Sequence, residues 1–342
     1  MIIVTGGAGA IGSALIWRLN QLGTDRILVV DNLGSSEKWR NLAPLRFDDY
    51  LHKDVFAQWL AAGKVPAEVK AIVHLGACSS TTQTNADYLA ENNYRYTRQI
   101  AEWALPKNVR MIYASSAATY GDGKHGYHDD EAGAGKLIPL NAYGYSKQLF
   151  DLWAIRTRAS QRIAGLKFFN VFGPNEYHKG SMTSAVFNSF HQIGATGQMK
   201  LFKSYHPDYA DGAQQRDFIY IKDCVEVMAW LLEQPQVNGI FNVGTGVARS
   251  WLDLAHAVFQ AMGRPPAIEF IEMPPGLARQ YQYYTRAEMQ KLQSAGCPVK
   301  FRSLEEGVTD YVVNYLSADS PYLSPSPSRP ATADPATRFD AA

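Results

Sequence analysis

A tyrosine and a lysine four residues apart, Tyr143 and Lys147, form the pair in this sequence best suited to move a proton. On a helix this spacing puts both side chains on one face, a turn apart. An ammonium near a phenol favours the phenolate and lowers a pKa that starts near ~10. Ser116, which follows an apolar run, offers a hydroxyl to orient the same substrate oxygen. Because the spacing also arises by chance in many helices, the pair needs support from elsewhere.

That support comes from the glycine-rich stretch 6–12, which directly follows the apolar run 1–5. Gly6 permits a tight turn, Gly9 lets the backbone approach a pyrophosphate, and Gly12 lets a helix pack closely on a strand. An ordinary strand–helix turn is the alternative interpretation. However, a second apolar run ends at Asp31, roughly 20 residues on, where an acid meets a ribose hydroxyl. The pattern therefore predicts a dinucleotide-binding turn.

Short apolar runs separated by helical stretches continue through the first half, at 71–75, 110–114 and 164–170. This alternation predicts an α/β fold: a Rossmann-type, doubly wound parallel sheet with a smaller α/β substrate domain. Ligands of such sheets gather beyond the carboxyl ends of the strands. The glycines, Asp31 and Ser116 all stand at such ends.

The later chain predicts a more complicated division. We expect a dinucleotide-binding domain at 1–171, with 217–247 returning to it. The segments 172–216 and 248–316 would form the substrate-binding domain. Residues 317–342 are rich in proline and serine and poor in apolar residues, which predicts a disordered tail.

Composition excludes several classes of function. The 342 residues carry 33 basic and 32 acidic side chains, so no charge excess directs the chain to nucleic acid or membrane. Three widely spaced cysteines, Cys78, Cys224 and Cys297, are typical of reduced thiols. No histidine spacing indicates a metal site. Since the first strand begins at Met1 and leaves no room for a signal peptide, we expect a cytoplasmic protein.

The combination of glycine turn, Ser116, Tyr143 and Lys147 resembles the extended short-chain dehydrogenase/reductase superfamily. Within it, the likeness is to the branch of nucleotide-sugar epimerases that act on ADP-heptose, and it covers residues 1 to about 316. The stretches that carry this finer likeness are 76–82, 113–121, 143–147, 178–182 and 215–218.

The resemblance implies inversion at C6 of ADP-D-glycero-β-D-manno-heptose through a transient 6-keto sugar, with hydride held by bound NADP. Tyr143 and Lys179 would each serve one epimer as acid/base, and Lys147 would position the nicotinamide ribose. By composition alone, Lys179 is an ordinary loop lysine. The resemblance also implies a homo-oligomer, pentameric in relatives, which supplies heptose for the lipopolysaccharide core.

Further positions follow from the resemblance one by one. The cofactor would contact Gly6, Gly9, Ala10, Ile11, Gly12, Asp31, Asn32, Lys38, Lys53, Leu75, Gly76, Ala77, Cys78, Ser79, Asn92, Lys147, Val171 and Lys179. The substrate would contact Asn170, Ser181, Asn188, Phe202, Lys203, Ser204, Tyr205, Arg216 and Tyr281. Arg216 suits a diphosphate physically, since a guanidinium forms a planar fork; an ion pair with Asp217 or Asp211 is its structural alternative.

Three alternatives remain open at this point. Asp31 by itself favours NAD, since a carboxylate repels a 2′-phosphate, whereas Asn32, Lys38 and Lys53 favour NADP. Another nucleotide-sugar epimerase, of the UDP-hexose 4-epimerase type, would carry the same general motifs. A non-catalytic protein that senses NADP is less favoured, because such proteins typically lose Tyr143 or Lys147.

Overall fold

The computed structural model describes residues 1–274 and 281–325 of the chain. Its strands are β1 (Ile2–Thr5), β2 (Ile27–Asp31), β3 (Asp49–His52), β4 (Ala71–His74), β5 (Arg110–Ser116), β6 (Ala164–Phe168), β7 (Asn170–Phe172), β8 (Met199–Phe202), β9 (Gln215–Tyr220), β10 (Gly239–Val243), β11 (Ala248–Ser250) and β12 (Ile268–Ile271).

The α-helices in these ranges are α1 (Ala10–Gln21), α2 (Lys53–Ala62), α3 (Ala86–Leu89), α4 (Tyr96–Ala104), α5 (Ala142–Arg156), α6 (Ala185–Thr196), α7 (Ile221–Glu233), α8 (Trp251–Ala261), α9 (Gln290–Ser294) and α10 (Leu304–Tyr311). A π-helical turn, Ala90–Arg95, joins α3 to α4, and another, Val312–Leu316, continues α10. The 3₁₀ turns are Glu37–Asn41, Leu105–Lys107, Ala117–Tyr120, Ala134–Lys136, Ala159–Gln161 and Tyr177–Met182.

Seven parallel strands form the central sheet in the order β10-β6-β5-β4-β1-β2-β3. The strand order reverses between β1 and β4, so a crevice opens there at the carboxyl ends of the strands. This confirms the predicted Rossmann-type sheet. The sequence reading missed β3, whose residues are only partly buried at the sheet edge.

Neighbouring residues of the inner strands serve opposite faces of the sheet. Ile3 packs with α2, α4 and α5, whereas Val4 packs with α1 and α7, and Ile72 and Val73 divide in the same way. Both faces are therefore covered, which explains why the strands are continuous apolar runs.

The second half adds two small sheets. Strand β9 pairs with β7 and β11, and β8 pairs with β12. Of the segment 217–247, α7 packs on α1 and β10 joins the central sheet, but β9 does not. The domain boundaries themselves stay a prediction.

The predicted disordered tail differs from the structure over its first part. Leu323 is fully buried, and Pro321 and Ser324 accept hydrogen bonds from the body of the protein. Composition missed this packing because only two residues, Tyr322 and Leu323, provide its apolar contacts. Residues 326–342 lie outside the described ranges.

None of the described helices is long and apolar enough to cross a bilayer. Within the same ranges, no cluster of three or more His, Cys, Asp or Glu side chains is arranged to hold a metal ion.

Candidate active site

A cavity of 220 Å³ lies at the crevice between β1 and β4, and we call it the dinucleotide cavity. Nine predicted cofactor positions line it: Gly6, Asp31, Asn32, Lys38, Lys53, Gly76, Ala77, Cys78 and Asn92. Tyr88 and Tyr96 also line it, and the sequence analysis did not predict them. The cavity therefore gathers residues from the ends of four neighbouring strands, β4, β1, β2 and β3.

The glycine turn has the geometry that a dinucleotide needs. Gly6 has φ of +66°, and a Cβ there would stand 2.6 Å from the Gly76 nitrogen. A Cβ at Gly12 would collide with the Gly6 carbonyl. Helix α1 starts at Gly9 with no capping side chain, so its first N–H groups are free to face a pyrophosphate. Ala10 and Ile11 form that first turn, so the glycine turn and the start of α1 fit the pyrophosphate of a dinucleotide.

Asp31 is held from three sides. Its Oδ2 accepts from the Ala8 nitrogen at 2.8 Å, while Oδ1 accepts from the Asn32 nitrogen and Lys38 Nζ, both at 2.6 Å. The carboxylate is thus a fixed part of the glycine turn, and a lysine on the cavity wall balances its charge.

A buried asparagine that the sequence analysis missed, Asn93, fixes the far wall. Its amide bonds both backbone groups of Cys78, at 2.8 and 3.0 Å, and donates to Ser146 Oγ at 3.0 Å. It therefore joins the segment after β4 to α5. The only available signal was the pair Asn92-Asn93, which does not by itself indicate a role.

Tyr143 lies in the first turn of α5, which begins where Asn141 Oδ1 accepts from the Gly144 nitrogen at 2.8 Å. Ser116 ends β5 and faces the phenol. Burial raises the pKa of Tyr143, the Ser116 hydroxyl acts to lower it, and Cys78 raises it. The pKa of Tyr143 is therefore raised, whereas the spacing predicts that Lys147 lowers it; desolvation outweighs the hydrogen bond with Ser116.

Lys147 instead donates from Nζ to the Ala114 carbonyl at 2.8 Å and is 6 % exposed. Burial lowers its pKa to about 8, and Asp151 opposes that shift. Asp151 in turn accepts from Lys167 Nζ and Ser115 Oγ, both at 2.7 Å. The buried ion pair between Asp151 and Lys167 therefore holds the end of β5 through Ser115.

A second cavity of 230 Å³, the tyrosine cavity, is lined by Tyr143, Ser116 and Asn170. Thr81, Gln282 and Thr285 complete its polar wall and were not predicted. Asn170 also lines a middle cavity of 440 Å³ with Val171 and Asn188. Because Asn170 lines both, the tyrosine cavity and the middle cavity are adjacent.

Asn188 and Trp251 connect the middle cavity to an outer cavity of 450 Å³, which Phe202 and Tyr281 also line. Arg216 stands beside it, with its guanidinium carbon 5.2 Å from the Tyr281 ring centre and 5.9 Å from that of Trp251. The structure thus lines up predicted substrate positions from Tyr143 to Arg216.

Arg216 is 7 % exposed and donates to the Gln215 carbonyl at 2.8 Å. Burial lowers its pKa, and among the described residues no carboxylate pairs with it. The alternative partners are engaged elsewhere: Asp217 accepts from three backbone nitrogens, and Asp211 accepts from Ser204. A buried guanidinium without a carboxylate favours an anionic ligand.

Other predicted positions lie away from these cavities. Lys203 pairs with Glu272 at 2.6 Å, and the hydroxyl of Tyr205 donates to the same carboxylate. Ser181 is exposed. Seven further predicted cofactor positions are absent from the wall of the dinucleotide cavity. Six of them belong to the glycine turn or neighbour a lining residue along the chain: Gly9, Ala10, Ile11, Gly12, Leu75 and Ser79. The seventh, Lys147, bonds the Ala114 carbonyl instead.

Lys179 belongs to the turn Tyr177–Met182, which packs against Glu37–Asn41. Burial, then Lys179 and Lys38, lower the pKa of the neighbouring His178 to about 4. Lys179 therefore lies in a turn beside the one that carries Lys38, and it is not part of the wall of the tyrosine cavity. Met182, at the end of this turn, does line the middle cavity.

Residues 2–244 match the NAD dependent epimerase/dehydratase family. Because the match spans more than half of the chain, the chain belongs to that family. The class of protein is thus a nicotinamide-dependent epimerase or dehydratase, in agreement with the Rossmann-type sheet and the tyrosine–lysine pair.

Relatives narrow the class. The ADP-L-glycero-D-manno-heptose-6-epimerase of Nitratidesulfovibrio vulgaris strain DP4 is 59% identical over 323 residues, which is 94% of this chain and 100% of that protein. The enzyme of the same name from Fusobacterium nucleatum is 47% identical, with 94% and 100% covered. The crystal structure of the Helicobacter pylori enzyme has a TM-score of 0.77 at 27% identity and covers 91% of this chain and 94% of its own. These matches place the chain among the ADP-L-glycero-D-manno-heptose-6-epimerases.

Proposed function

We propose that this protein epimerises C6 of ADP-D-glycero-β-D-manno-heptose to give the L-glycero epimer. The observation that carries this proposal is the line of connected cavities from Tyr143 to the unpaired Arg216. A reacting hydroxyl fits at the tyrosine end, and a diphosphate fits at the arginine end. The near-full-length relatives support the same substrate.

C6 carries a C–H that is not acidic, so removing a proton from carbon is not a route to inversion. Bound NADP supplies a reversible hydride acceptor. The side chains of the site then have two tasks. They take the proton of the C6 hydroxyl as the 6-keto sugar forms, and they return a proton to that oxygen when the ketone is reduced. Tyr143 does this from one side, with Ser116 holding the oxygen.

Inversion requires presenting the opposite face of the ketone. C6 lies outside the sugar ring, so rotation about the C5–C6 bond turns the carbonyl without releasing the sugar. After that rotation the oxygen points away from Tyr143. We assign the second acid/base role to Lys179, which lies three residues before Met182 of the middle cavity wall.

The substrate positions divide by location. Asn170 stands beside Tyr143 to bind heptose hydroxyls, and Arg216 holds the diphosphate. Tyr281, Phe202 and Asn188 surround the adenosine end. We keep Ser181, Lys203, Ser204 and Tyr205 as contacts made when the loops close on the substrate.

We propose NADP as the cofactor. Lys38 and Lys53 both line the dinucleotide cavity, and Asp31 is already bonded to two backbone nitrogens and Lys38. A 2′-phosphate there meets two ammonium groups and a neutralised carboxylate, which removes the repulsion that favours NAD. Lys147, after release from Ala114, positions the nicotinamide ribose.

Two wider features belong to the same proposal. The protein forms homo-oligomers, as the family resemblance implies, and it works in the cytoplasm to supply L-glycero heptose for the lipopolysaccharide core.

The decisive experiment is proton NMR of the purified protein with ADP-D-glycero-β-D-manno-heptose and no added cofactor. We expect conversion to the L-glycero epimer, because the cofactor is regenerated in every turnover. If conversion occurs only after NADP is added, the cofactor was lost during purification and the proposal stands. No conversion with NADP present contradicts it.

The rival of the UDP-hexose 4-epimerase type is tested in a parallel tube that contains UDP-glucose and NAD. Conversion of that substrate, with ADP-heptose left unchanged, favours the rival. Tight NADP binding with neither substrate converted would favour a sensing protein.

A further inference from the structure

The segment Pro321, Tyr322, Leu323 and Ser324 crosses the body of the protein as a strap, and each residue has a specific contact. The Pro321 carbonyl accepts from Tyr177 Oη at 2.6 Å, and the Ser324 carbonyl accepts from Trp17 Nε1 at 3.1 Å. Leu323 is fully buried. The strap therefore bridges α1 and the turn that carries Lys179.

Asn175 lies where the strap, α1 and the 37–41 turn meet. This fully buried residue has φ of +72°, a left-handed value that asparagine adopts more readily than other residues with a side chain. Its Oδ1 accepts from the Leu323 nitrogen at 3.0 Å, and its Nδ2 donates to Ser13 Oγ at 2.9 Å. Its carbonyl accepts from Asn41, which also donates to the Ala8 carbonyl at 2.9 Å. The side chain of Asn175 thus joins the strap to α1, and its backbone carbonyl is linked through Asn41 to the glycine turn.

The strap also covers the turn through an aromatic pair. The Tyr322 and Tyr177 rings pack edge to face, with centres 5.4 Å apart. Tyr177 precedes Lys179 by two residues, and Glu176 is anchored separately by Ser184 and Tyr311. The backbone before Lys179 is therefore held by the strap on one side and by Glu176 on the other.

After Lys179 the chain is next anchored at Thr183, which donates to the Gly180 carbonyl at 2.9 Å, and at Ser184, which bonds Glu176. Gly180 adopts φ of +55° and ψ of −124°, and both Gly180 and Ser181 are exposed. The turn is thus held at both of its ends, and the strap supplies the support on the side before Lys179. An acid/base group misplaced by about 1 Å loses on the order of 100-fold in rate, so this anchor matters for the chemistry.

We propose that the strap is a positioning element for Lys179, acting through Tyr177 and Asn175. The rate effect rests on the proposed role of Lys179, whereas the ordering of the turn does not. Tyr177 and Leu323 line none of the four cavities described above, so they are positioning residues.

The test uses the full-length chain with Tyr177→Phe, which removes one hydroxyl, and Leu323→Asp, which releases the strap. Val313→Ala, a change at a half-exposed residue of the preceding helical turn, is the matched control. Two readouts are measured: hydrogen exchange of the amides in Tyr177–Met182, and single-turnover reduction of NADP, followed at 340 nm, with each epimer separately.

We expect Leu323→Asp to speed exchange in this turn by about tenfold or more while exchange in β1 and β4 stays unchanged. The epimer whose oxidation Lys179→Met abolishes should be oxidised on the order of tenfold more slowly, and the other epimer within about twofold of wild type. Tyr177→Phe should give a smaller change of the same pattern, and Val313→Ala none.

Unchanged exchange in the turn, or equal slowing with both epimers, overturns the proposal. If Leu323→Asp prevents folding, Tyr177→Phe decides by the same criteria. If Lys179→Met leaves oxidation of both epimers intact, the proposed role of Lys179 fails, and the exchange data still show whether the strap orders its turn.

Discussion

The dinucleotide cavity and the outer cavity treat buried charge in opposite ways. At the first, Asp31 is neutralised by Lys38 and two backbone nitrogens before any ligand arrives. At the second, Arg216 is buried against Trp251 and Tyr281 and has no carboxylate among the described residues. A buried, unpaired charge is costly, and a ligand that compensates it binds more strongly.

This difference matches the roles that we propose. A cofactor regenerated in every turnover stays bound, so its site gains from being complete in advance. A substrate must be exchanged in every turnover, and a charge that only the substrate neutralises makes binding selective for the diphosphate. The tyrosine cavity lies between the two, with the neutral pair Tyr143 and Ser116 at its wall.

The largest expected effect is at the tyrosine cavity. Tyr143→Phe should lower the epimerisation rate by on the order of 10²–10⁴-fold in both directions, since both share one path and their ratio is fixed by the equilibrium constant. Single-turnover NADP reduction should fail with one epimer only. NADP affinity, measured by calorimetry, should stay within about threefold. Oxidation of both epimers at the wild-type rate would contradict the assignment.

The outer cavity should give the next largest effect. Arg216→Met removes charge-assisted hydrogen bonds of about 1.5–3 kcal/mol, so ADP should bind roughly 10–100-fold more weakly. Calorimetry with ADP, in protein saturated with NADP, measures this.

The matched control is Arg249→Met on the neighbouring strand, directly opposite Arg216 in the register. Arg249 is already paired with Glu305 and Asp253. Its loss should leave ADP affinity unchanged. Equal weakening by both variants would break the contrast between a paired and an unpaired arginine.

At the dinucleotide cavity the expected effect is smaller and depends on the ligand. Lys38→Met removes one cation and uncovers Asp31, so NADP should bind about tenfold more weakly. NAD, which lacks the 2′-phosphate, should bind with little change. Arg40→Met, at an exposed residue paired with Glu37, serves as control. A similar loss for both dinucleotides would contradict the proposed cofactor preference.

The smallest effect is expected from pH. The pKa of Lys147 is lowered to about 8 by burial, so its ammonium form is lost as pH rises through that value. Activity should therefore decline on the alkaline side near pH 8. Lys147→Arg, which stays charged, should lower activity a few-fold at pH 7 but remove this decline. If activity of the variant still declines near pH 8, a group other than Lys147 causes the decline.

The sequence predicted the central sheet, and nine of its predicted cofactor positions meet at one cavity, because the signals for both are local. Strand, glycine turn and helix are consecutive at residues 1–21, and Asp31 directly ends a strand. Parallel strands then bring their carboxyl ends together, so spacing along the chain translates into proximity.

The second half depends on contacts between distant segments. No local sequence signal indicates that Trp251 and Tyr281 pack around Arg216. The same is true of Glu272, which binds the side chains of Lys203 and Tyr205. The burial of Leu323 depends on a pocket built around Asn175, far earlier in the chain. The pKa of Tyr143 was misjudged because spacing gives the position of a charge but not the extent of desolvation.

Strand order has a consequence for synthesis on the ribosome. Strand β6 ends at Phe168, but its outer neighbour β10 begins only at Gly239. At ~5–20 residues per second, the nascent chain exposes that apolar edge for roughly 4–15 s before the pairing segment emerges. During this interval the edge is free to pair with another nascent chain. Slow translation between these strands should therefore favour aggregation, and a chaperone present at the ribosome should raise the yield of native protein.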